Sequence, residues 1–166
     1  MIVVSDSTPL ITLMKATQLR ILHELFGEII IPEAVRDELT VNEKYIEEAK
    51  LINSSEFIRV ISVEDRKSVS LLQRAAGLDL GESEAIIYAE NNNADLLLVD
   101  EASGRRVAKS MGIEIMGSIG VLVSAFRKGF LSEEETNDAF QRIRNAKRHI
   151  SEKLIKDALD VIHGEV

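Results

Sequence analysis

Four acidic residues occur in this chain at positions where they could together bind a metal ion. Asp6 and Asp100 each follow a short apolar run: residues 2–4 precede Asp6 with Ser5 between them, and residues 96–99 directly precede Asp100. Such runs predict buried strands with an aspartate at the C-terminal end, which is the edge where open α/β sheets bind ligands. Two further acids, Glu38 and Glu82, lie on helices predicted to begin near the same edge.

These four side chains suggest the chemistry of a hard divalent cation. Carboxylate oxygens are the ligands that Mg²⁺ and Mn²⁺ prefer. The chain has no cysteine, and its three histidines are not spaced as metal ligands. We therefore predict a metal-dependent enzyme that uses Mg²⁺ or Mn²⁺, with four residues as metal-binding and catalytic candidates: Asp6, Glu38, Glu82 and Asp100.

Each acid also has a structural explanation of its own. Asp6 and Asp100 could cap the helices that follow them. Glu82 could be a first-turn acid favoured by the helix dipole, and Glu38 could be a surface residue. Glu84 competes with Glu82 as a ligand, because residues two apart on a helix point to different faces. The residues alone leave these alternatives open.

Composition narrows the class of protein. The 166 residues are 45% hydrophobic, which predicts one domain, 1–166, with its own core. The absence of cysteine excludes disulfides, iron–sulfur clusters, thiolate zinc sites and a cysteine nucleophile. The N-terminal segment has no basic leader, and no stretch reaches the roughly 18 apolar residues that a membrane span needs. We expect a soluble cytoplasmic protein that does not contact membranes.

The charge distribution has two interpretations. Twenty basic against 28 acidic residues give a net charge of −8, which counts against a sequence-independent nucleic-acid binder. Residues 141–156, however, contain six basic residues and one acid. They form either a solvated helix face or a phosphate-contacting patch that includes Arg144 and Arg148. Arg105 and Arg106, one helical turn beyond the last of the four acids, could likewise bind phosphate or form surface ion pairs.

Strand and helix signals alternate along the chain. This order predicts a three-layer α/β/α fold with a mostly parallel central sheet. The chain should end in a helical segment at about 132–163. The predicted strands are 2–4, 28–31, 57–63, 95–99 and 113–115, and the predicted helices are 10–15, 19–26, 32–50, 66–76, 81–89, a helix ending at 111, 118–128, 132–147 and 151–162.

Four segments, taken in order, resemble one known family. They are VVSDSTPLI (3–11), IIIPEAVRDEL (29–39), LDLGESEAIIYAE (78–90) and LLLVDEASGRRVAKSMGIEIMGSIGVL (96–122). Together they resemble the PIN-domain superfamily and, within it, small prokaryotic proteins related to VapC-type toxin ribonucleases. The resemblance covers most of residues 1–122 and implies a PIN-like fold.

The resemblance also implies a site and a reaction. The four candidate acids match the acids of the family, although Glu82 stands where many relatives have aspartate. Glu82 is favoured over Glu84 because it lies eighteen residues before Asp100 and seven before Ala89, as in the family pattern. The implied reaction is Mg²⁺- or Mn²⁺-dependent hydrolysis of RNA phosphodiester bonds. Ser7 or Thr8 would orient one of the acids.

Partners follow from the same resemblance. It implies an RNA substrate, a small antitoxin protein and a homodimer. The helices over residues 10–25 could supply an apolar dimer patch, or their leucines could pack into the core. Two other functions stay open: a phosphatase with Asp6 as nucleophile, which Thr8 disfavours because it stands in place of a second aspartate, and a PIN-like scaffold that binds RNA or protein without cleaving it.

Overall fold

One parallel β-sheet forms the centre of the protein. The computed structural model describes residues 1–148 and 150–164. Within these ranges five strands pair in the order β3-β2-β1-β4-β5, and every pair is parallel. The prediction of an α/β fold with a mostly parallel sheet is confirmed. The strands are β1 (Val3–Ser5), β2 (Ile29–Pro32), β3 (Ile58–Ile61), β4 (Leu96–Leu98) and β5 (Ile115–Met116).

Helices connect the strands and follow the last one. The largest difference from prediction is the helix expected over residues 32–50, which is instead two α-helices separated by a short 3₁₀ helix at Glu43–Tyr45. Asn42 leaves the helical conformation (φ −86°, ψ 112°), and its side chain accepts a hydrogen bond from the backbone N–H of Lys44. The helices are α1 (Ser7–Lys15), α2 (Ile21–Phe26), α3 (Glu33–Val41), α4 (Ile46–Ser54), α5 (Arg66–Ala76), α6 (Leu80–Asn91), α7 (Ala102–Ser110), α8 (Ser118–Arg127), α9 (Glu133–Asn145) and α10 (Glu152–Ile162).

The central strands are buried on both faces, as expected for a parallel sheet covered by helices. Successive side chains of a strand point to opposite faces. Val3 and Leu98 accordingly pack with α1, α2, α8, α9 and α10, whereas Val4 and Leu97 pack with α6 and α7. Among the helices described, none is long and apolar enough to cross a membrane.

The leucine-rich helices α1 and α2 belong to the core. Leu13, Met14 and Leu22 are buried, and Leu25 is half-buried against the same cluster. Of the two alternatives for these helices, core packing is therefore the one observed, and their buried side chains are not available to an apolar dimer patch. Hydrophobic burial explains this outcome, because α1 packs against α8 and α9, and α2 packs against β2 and α8.

The C-terminal helices α9 and α10 complete the same layer. Phe140, Ile143 and Ile155 are fully buried in one cluster with Leu10 of α1. Both helices begin with a serine cap, Ser132 before α9 and Ser151 before α10. This packing brings Arg148, which follows α9, next to Thr12 of α1.

Candidate functional site

The four candidate acids lie around the C-terminal edge of the sheet. β1 and β4 are neighbours with Ser5 paired to Leu98, and the backbone N–H of Asp6 donates to the carbonyl of Leu98 at 3.0 Å. Asp6 and Asp100 therefore follow adjacent parallel strands at one edge. Glu38 is on α3, directly after β2, and Glu82 is in the first turn of α6.

Asp6 is a buried carboxylate with incomplete hydrogen bonding. Its side chain is 2% exposed and does not cap α1. Its Oδ1 atom has no hydrogen-bond partner among the described residues. Burial raises the pKa of Asp6 well above its ordinary value, the backbone N–H of Ser7 partly offsets this, and the charges of Asp79, Glu82 and Glu38 raise it further. Helix capping does not account for this residue.

Glu82 has one satisfied and one unsatisfied carboxylate oxygen. Its Oε2 accepts from the backbone N–H of Asp79 at 3.2 Å, and the Asp79 side chain accepts from the Glu82 N–H at 2.8 Å, which forms a capping box. Its Oε1 is buried without a partner in the described part of the chain. Burial raises the pKa of Glu82, as do the nearby carboxylates of Asp79, Glu101 and Glu38. A role as an ordinary first-turn acid therefore explains the hydrogen-bonded Oε2 of Glu82 but not its buried Oε1.

Glu38 is an exposed residue whose carboxyl group faces the other acids. Partial burial raises its pKa, the hydroxyl of Ser7 lowers it, and the charges of Asp79 and Glu101 raise it again. Ser7, rather than Thr8, is thus the residue next to both Asp6 and Glu38. Asp6, Glu38 and Glu82 form one group of mutually repelling carboxylates, which we call the acid cluster.

Asp100 lies beside the acid cluster and has different neighbours. It accepts hydrogen bonds from the backbone N–H of Ser118 at 2.7 Å and from the Ser118 hydroxyl at 2.9 Å. Burial raises the pKa of Asp100, whereas Ser118, Arg105 and Arg148 lower it. The helix that Asp100 caps is α8, not the α7 that follows it in sequence. This tertiary cap was not visible in the sequence, because Ser118 is eighteen residues away.

Two further acids, which were not among the four candidates, face the acid cluster. Asp79 and Glu101 each raise the pKa of both Glu38 and Glu82. A sequence signal existed for Asp79, which stands three residues before Glu82 in the pattern of a capping box. Glu101 directly follows Asp100 in the sequence, and no local pattern indicated that it would face the other acids.

Glycines allow the carboxyl groups to approach neighbouring backbone. A Cβ atom at Gly104 of α7 would lie 3.0 Å from Oε1 of Glu82, closer than ordinary van der Waals contact. Two similar approaches occur, and each involves a different acid. A Cβ atom at Gly81 would lie 3.3 Å from Oε2 of Glu38, and a Cβ atom at Gly117 would lie 2.8 Å from Oδ1 of Asp100.

Glu84, the competing ligand candidate, has partners of its own. It is buried, forms an ion pair with Arg66 of α5, and accepts from the backbone N–H of Ala34 at 3.2 Å. Its charge is therefore compensated on a face of α6 that contacts α3 and α5. This environment is that of a structural acid and contrasts with the unsatisfied Oε1 of Glu82.

The four arginine candidates divide between the site and the surface. Arg105 donates to the carbonyl of Val99 at 2.9 Å, and Arg148 donates to the hydroxyl of Thr12 at 3.2 Å. Both lie close enough to Asp100 to lower its pKa. Arg144 instead pairs with Glu152 of α10, and Arg106 is exposed on α7.

The residues present are compatible with a divalent cation that keeps part of its water shell. In the described ranges, no three side chains of His, Cys, Asp or Glu lie close enough together to hold an ion unaided. Two buried carboxylate oxygens nevertheless lack partners, Oδ1 of Asp6 and Oε1 of Glu82. Both are hard donors, and Mg²⁺ needs few protein ligands because it retains waters. A cation here would also offset the repulsion between the acids.

Comparison with known proteins gives one match. A family model described as a PIN domain matches residues 2–163, a range that includes the acid cluster, Asp100 and all four arginines. None of the curated proteins compared with the chain matches it.

Proposed function

Because this chain belongs to the PIN-domain family, whose members are generally nucleases, we propose that it is a ribonuclease that uses Mg²⁺ or Mn²⁺ to hydrolyse RNA phosphodiester bonds. PIN nucleases typically use divalent metals. The observation that best supports the proposal is the acid cluster, in which two buried carboxylate oxygens have no partner in the described chain. Buried like charges without partners cost stability, and such groups concentrate at functional sites.

Each acid would have a defined role in this site. Asp6 and Glu82 would hold the ion through their unsatisfied oxygens, with Glu38 and Asp100 binding it directly or through water. When bound, a divalent cation supplies electrostatic stabilisation of the scissile phosphate and lowers the pKa of a bound water. Ser7 orients Glu38, and Ser118 fixes the carboxylate of Asp100.

Arg105 and Arg148 would bind the substrate phosphate next to the acids. A guanidinium group presents several donors that match phosphate oxygens. The hydrogen bonds to Val99 and Thr12 hold each side chain by one nitrogen, so other N–H groups remain for a ligand. The two guanidinium groups would supply local positive charge for the phosphate in a chain whose net charge is −8.

A catalytic test separates this function from a scaffold that binds RNA without cleaving it. We expect the purified protein to cleave RNA in Mn²⁺ or Mg²⁺, EDTA to abolish cleavage, and Ca²⁺ to support it poorly because its coordination is less strict. Asp6→Asn and Asp100→Asn should each lower the rate roughly 100-fold or more. Asp138→Asn, an exposed residue on α9 that pairs with Arg142, is the matched control.

A PIN-like scaffold that binds RNA without cleaving it is the second candidate function. In the described residues, no three potential metal-ligand side chains lie close enough together to hold an ion. Intact Mn²⁺ binding without cleavage of total RNA, tRNA or single-stranded oligonucleotides would favour it.

We further propose that the chain acts as one domain, as a homodimer, and as the toxin of a toxin–antitoxin pair with a small antitoxin. The resemblance to VapC-type toxins supports these points. A dimer must use a surface other than α1 and α2, whose leucines are in the core. Light scattering of the purified protein tests the dimer, and growth arrest relieved by a neighbouring small gene tests the pair.

A further inference from the structure

The helix α3, which carries Glu38, is short and has no N-terminal cap of its own. It has nine residues, and Val35 and Leu39 are the buried ones. Pro32 occupies the N-cap position, where its side chain makes no capping hydrogen bond. The first backbone N–H groups of a helix have no partner within the helix, and a helix this short is marginal without tertiary contacts. The direction of α3 therefore depends on its neighbours.

A side chain of α6 supplies the missing cap. Oε2 of Glu84 accepts a hydrogen bond from the backbone N–H of Ala34, the second residue of α3, at 3.2 Å. Glu84 is buried, and its other oxygen, Oε1, is paired with Arg66 of α5. The helix dipole also favours a carboxylate at this end of α3. Glu84 thus links the first turn of α3 to α6 and α5.

The face of α3 that meets Glu84 also carries Glu38. Glu38 lies four residues after Ala34, about one turn or 6 Å along the helix axis, and residues at this spacing share a face. α6 approaches the same face again at Gly81, three residues before Glu84. A Cβ atom at Gly81 would lie 3.3 Å from Oε2 of Glu38 and 3.4 Å from Cγ2 of Val35. α6 therefore holds α3 at its first turn and leaves room for the carboxyl group of Glu38 one turn later.

We infer that Glu84 is a positioning residue for Glu38, and that it acts through the first turn of α3. This role rests on the proposed metal-dependent function, because Glu38 belongs to the acid cluster, but it gives Glu84 no contact with the ion. Without the hydrogen bond from Ala34, the start of α3 is released and Glu38 can move away from the other acids. Loss of a group that holds a metal ligand in place typically lowers metal affinity roughly 10- to 100-fold.

Two substitutions at Glu84 separate positioning from the ion pair. Glu84→Met has a side chain of similar length but no oxygen to accept from Ala34. Glu84→Gln keeps one carbonyl oxygen for Ala34, because the side chain of Arg66 is 56% exposed and can turn to water. Mn²⁺ affinity, measured by titration calorimetry, should fall about tenfold in Glu84→Met and stay unchanged in Glu84→Gln. Both variants lose the ion pair with Arg66, so an effect of that pair alone would appear in both.

A double-mutant cycle identifies the acid through which Glu84 acts. In a Glu38→Ala background, Glu84→Met should cause no further loss of Mn²⁺ affinity, because the carboxyl group that it positions is already absent. In a Glu82→Gln background, the loss of about tenfold should persist. This second background is the matched control, because Glu82 lies on the same helix as Glu84 and not on α3.

A measurement without metal tests the contact itself. In EDTA, the Ala34 amide should exchange its hydrogen faster in Glu84→Met than in Glu84→Gln, relative to the amide of Val121 in the buried helix α8, which reports opening of the core.

The positioning role is overturned if the Ala34 amide exchanges equally in the two variants, if both bind Mn²⁺ alike, or if the loss of affinity persists in the Glu38→Ala background. Absence of Mn²⁺ binding by the native chain would instead refute the proposed nuclease. Faster exchange at Ala34 in Glu84→Met would then still support a hold of Glu84 on α3, and equal exchange would overturn it.

Discussion

At the residue scale, Glu82 and Glu84 differ in whether neighbouring groups compensate their charge. They are two positions apart on α6, and both are buried. Glu84 is compensated by Arg66 and the N–H of Ala34, whereas Oε1 of Glu82 has no partner in the described residues. Burial and like charges raise the pKa of Glu82, and the backbone N–H of Asp79 offsets this rise only in part.

Asp6→Asn should stabilise the protein in EDTA at neutral pH. The pKa of Asp6 is raised in the folded state, so the native chain loses stability as pH rises from about 3.9, the ordinary aspartate value, through the raised pKa. The Asp6→Asn variant has no carboxyl group to ionise at this position, so its stability does not fall for this reason as pH rises. Its melting temperature should exceed that of the native chain by roughly 2–4 °C near neutral pH, and the two should converge towards about pH 4. Added Mn²⁺ should reverse the difference, because only the native site binds it well. Calorimetric scans across this range that show no pH-dependent gap would contradict the prediction.

Substitution of the two glutamates should have opposite consequences. Glu82→Gln should lower Mn²⁺ affinity by roughly tenfold or more, as loss of a ligand or its support does, with little loss of stability. Glu84→Gln should leave Mn²⁺ affinity unchanged but lower the free energy of unfolding by about 1–3 kcal/mol, because the Arg66 pair is lost. Titration calorimetry and urea unfolding measure the two quantities. Equal losses of metal affinity would show that Glu84 is also a ligand.

At the element scale, the site depends on how closely helices and turns approach the acids. α6 supplies Glu82, and α7 passes against it at Gly104, where a Cβ atom would lie 3.0 Å from both Oε1 of Glu82 and Cγ2 of Val99. α8 is tied to the strand end because Ser118 donates to Asp100. These contacts hold α6, α7 and α8 together around the C-terminal edge of the sheet.

Gly104→Ala should therefore displace the carboxylate of Glu82. Alanine is favoured over glycine within a helix by about 1 kcal/mol, and this gain should offset much of the packing strain of roughly 1–3 kcal/mol. Stability should change little, whereas Mn²⁺ affinity should fall several-fold. Ser110→Ala, at the exposed end of the same helix, is the control and should leave Mn²⁺ affinity unchanged. An unchanged affinity in Gly104→Ala would mean that the position of Oε1 does not matter for the ion.

At the scale of the whole molecule, the C-terminal helices share the core of the sheet. Phe140 of α9 and Ile155 of α10 are buried with Leu10 of α1 in a single cluster. The same packing places Arg148 against Thr12, residues that are 136 positions apart in the chain. A chain whose ends meet in one core should unfold as a unit.

Phe140→Ala should test this shared core. Truncation of a fully buried phenylalanine typically costs about 3–5 kcal/mol, through lost hydrophobic contact and the cavity that remains. In urea, the native chain should show one transition by both circular dichroism and intrinsic tyrosine fluorescence, and the variant should show the same single transition at lower urea. Two separate transitions in the native chain would contradict the prediction that it folds as one domain.

Local sequence determined much of the fold and the positions of the candidate acids. Strand, cap and helix signals are local, so Asp6 and Asp100 at strand ends and the helix over residues 66–76 could be predicted from periodicity and from Gly77. The break after Asn42 was missed because it depends on one side chain that hydrogen bonds in a turn. Because the residues on both sides of Asn42 favour a helix, the sequence alone predicts one continuous helix here.

Tertiary structure decided which of these residues meet. Asp79 and Glu101 face the acid cluster, Asp100 caps α8 instead of α7, and Arg148 of the basic run reaches the site. Arg144, on the same basic run, pairs with Glu152 instead. These outcomes depend on the packing of helices far apart in sequence, because the position of a side chain in space follows from the core beneath its helix and not from its neighbours along the chain.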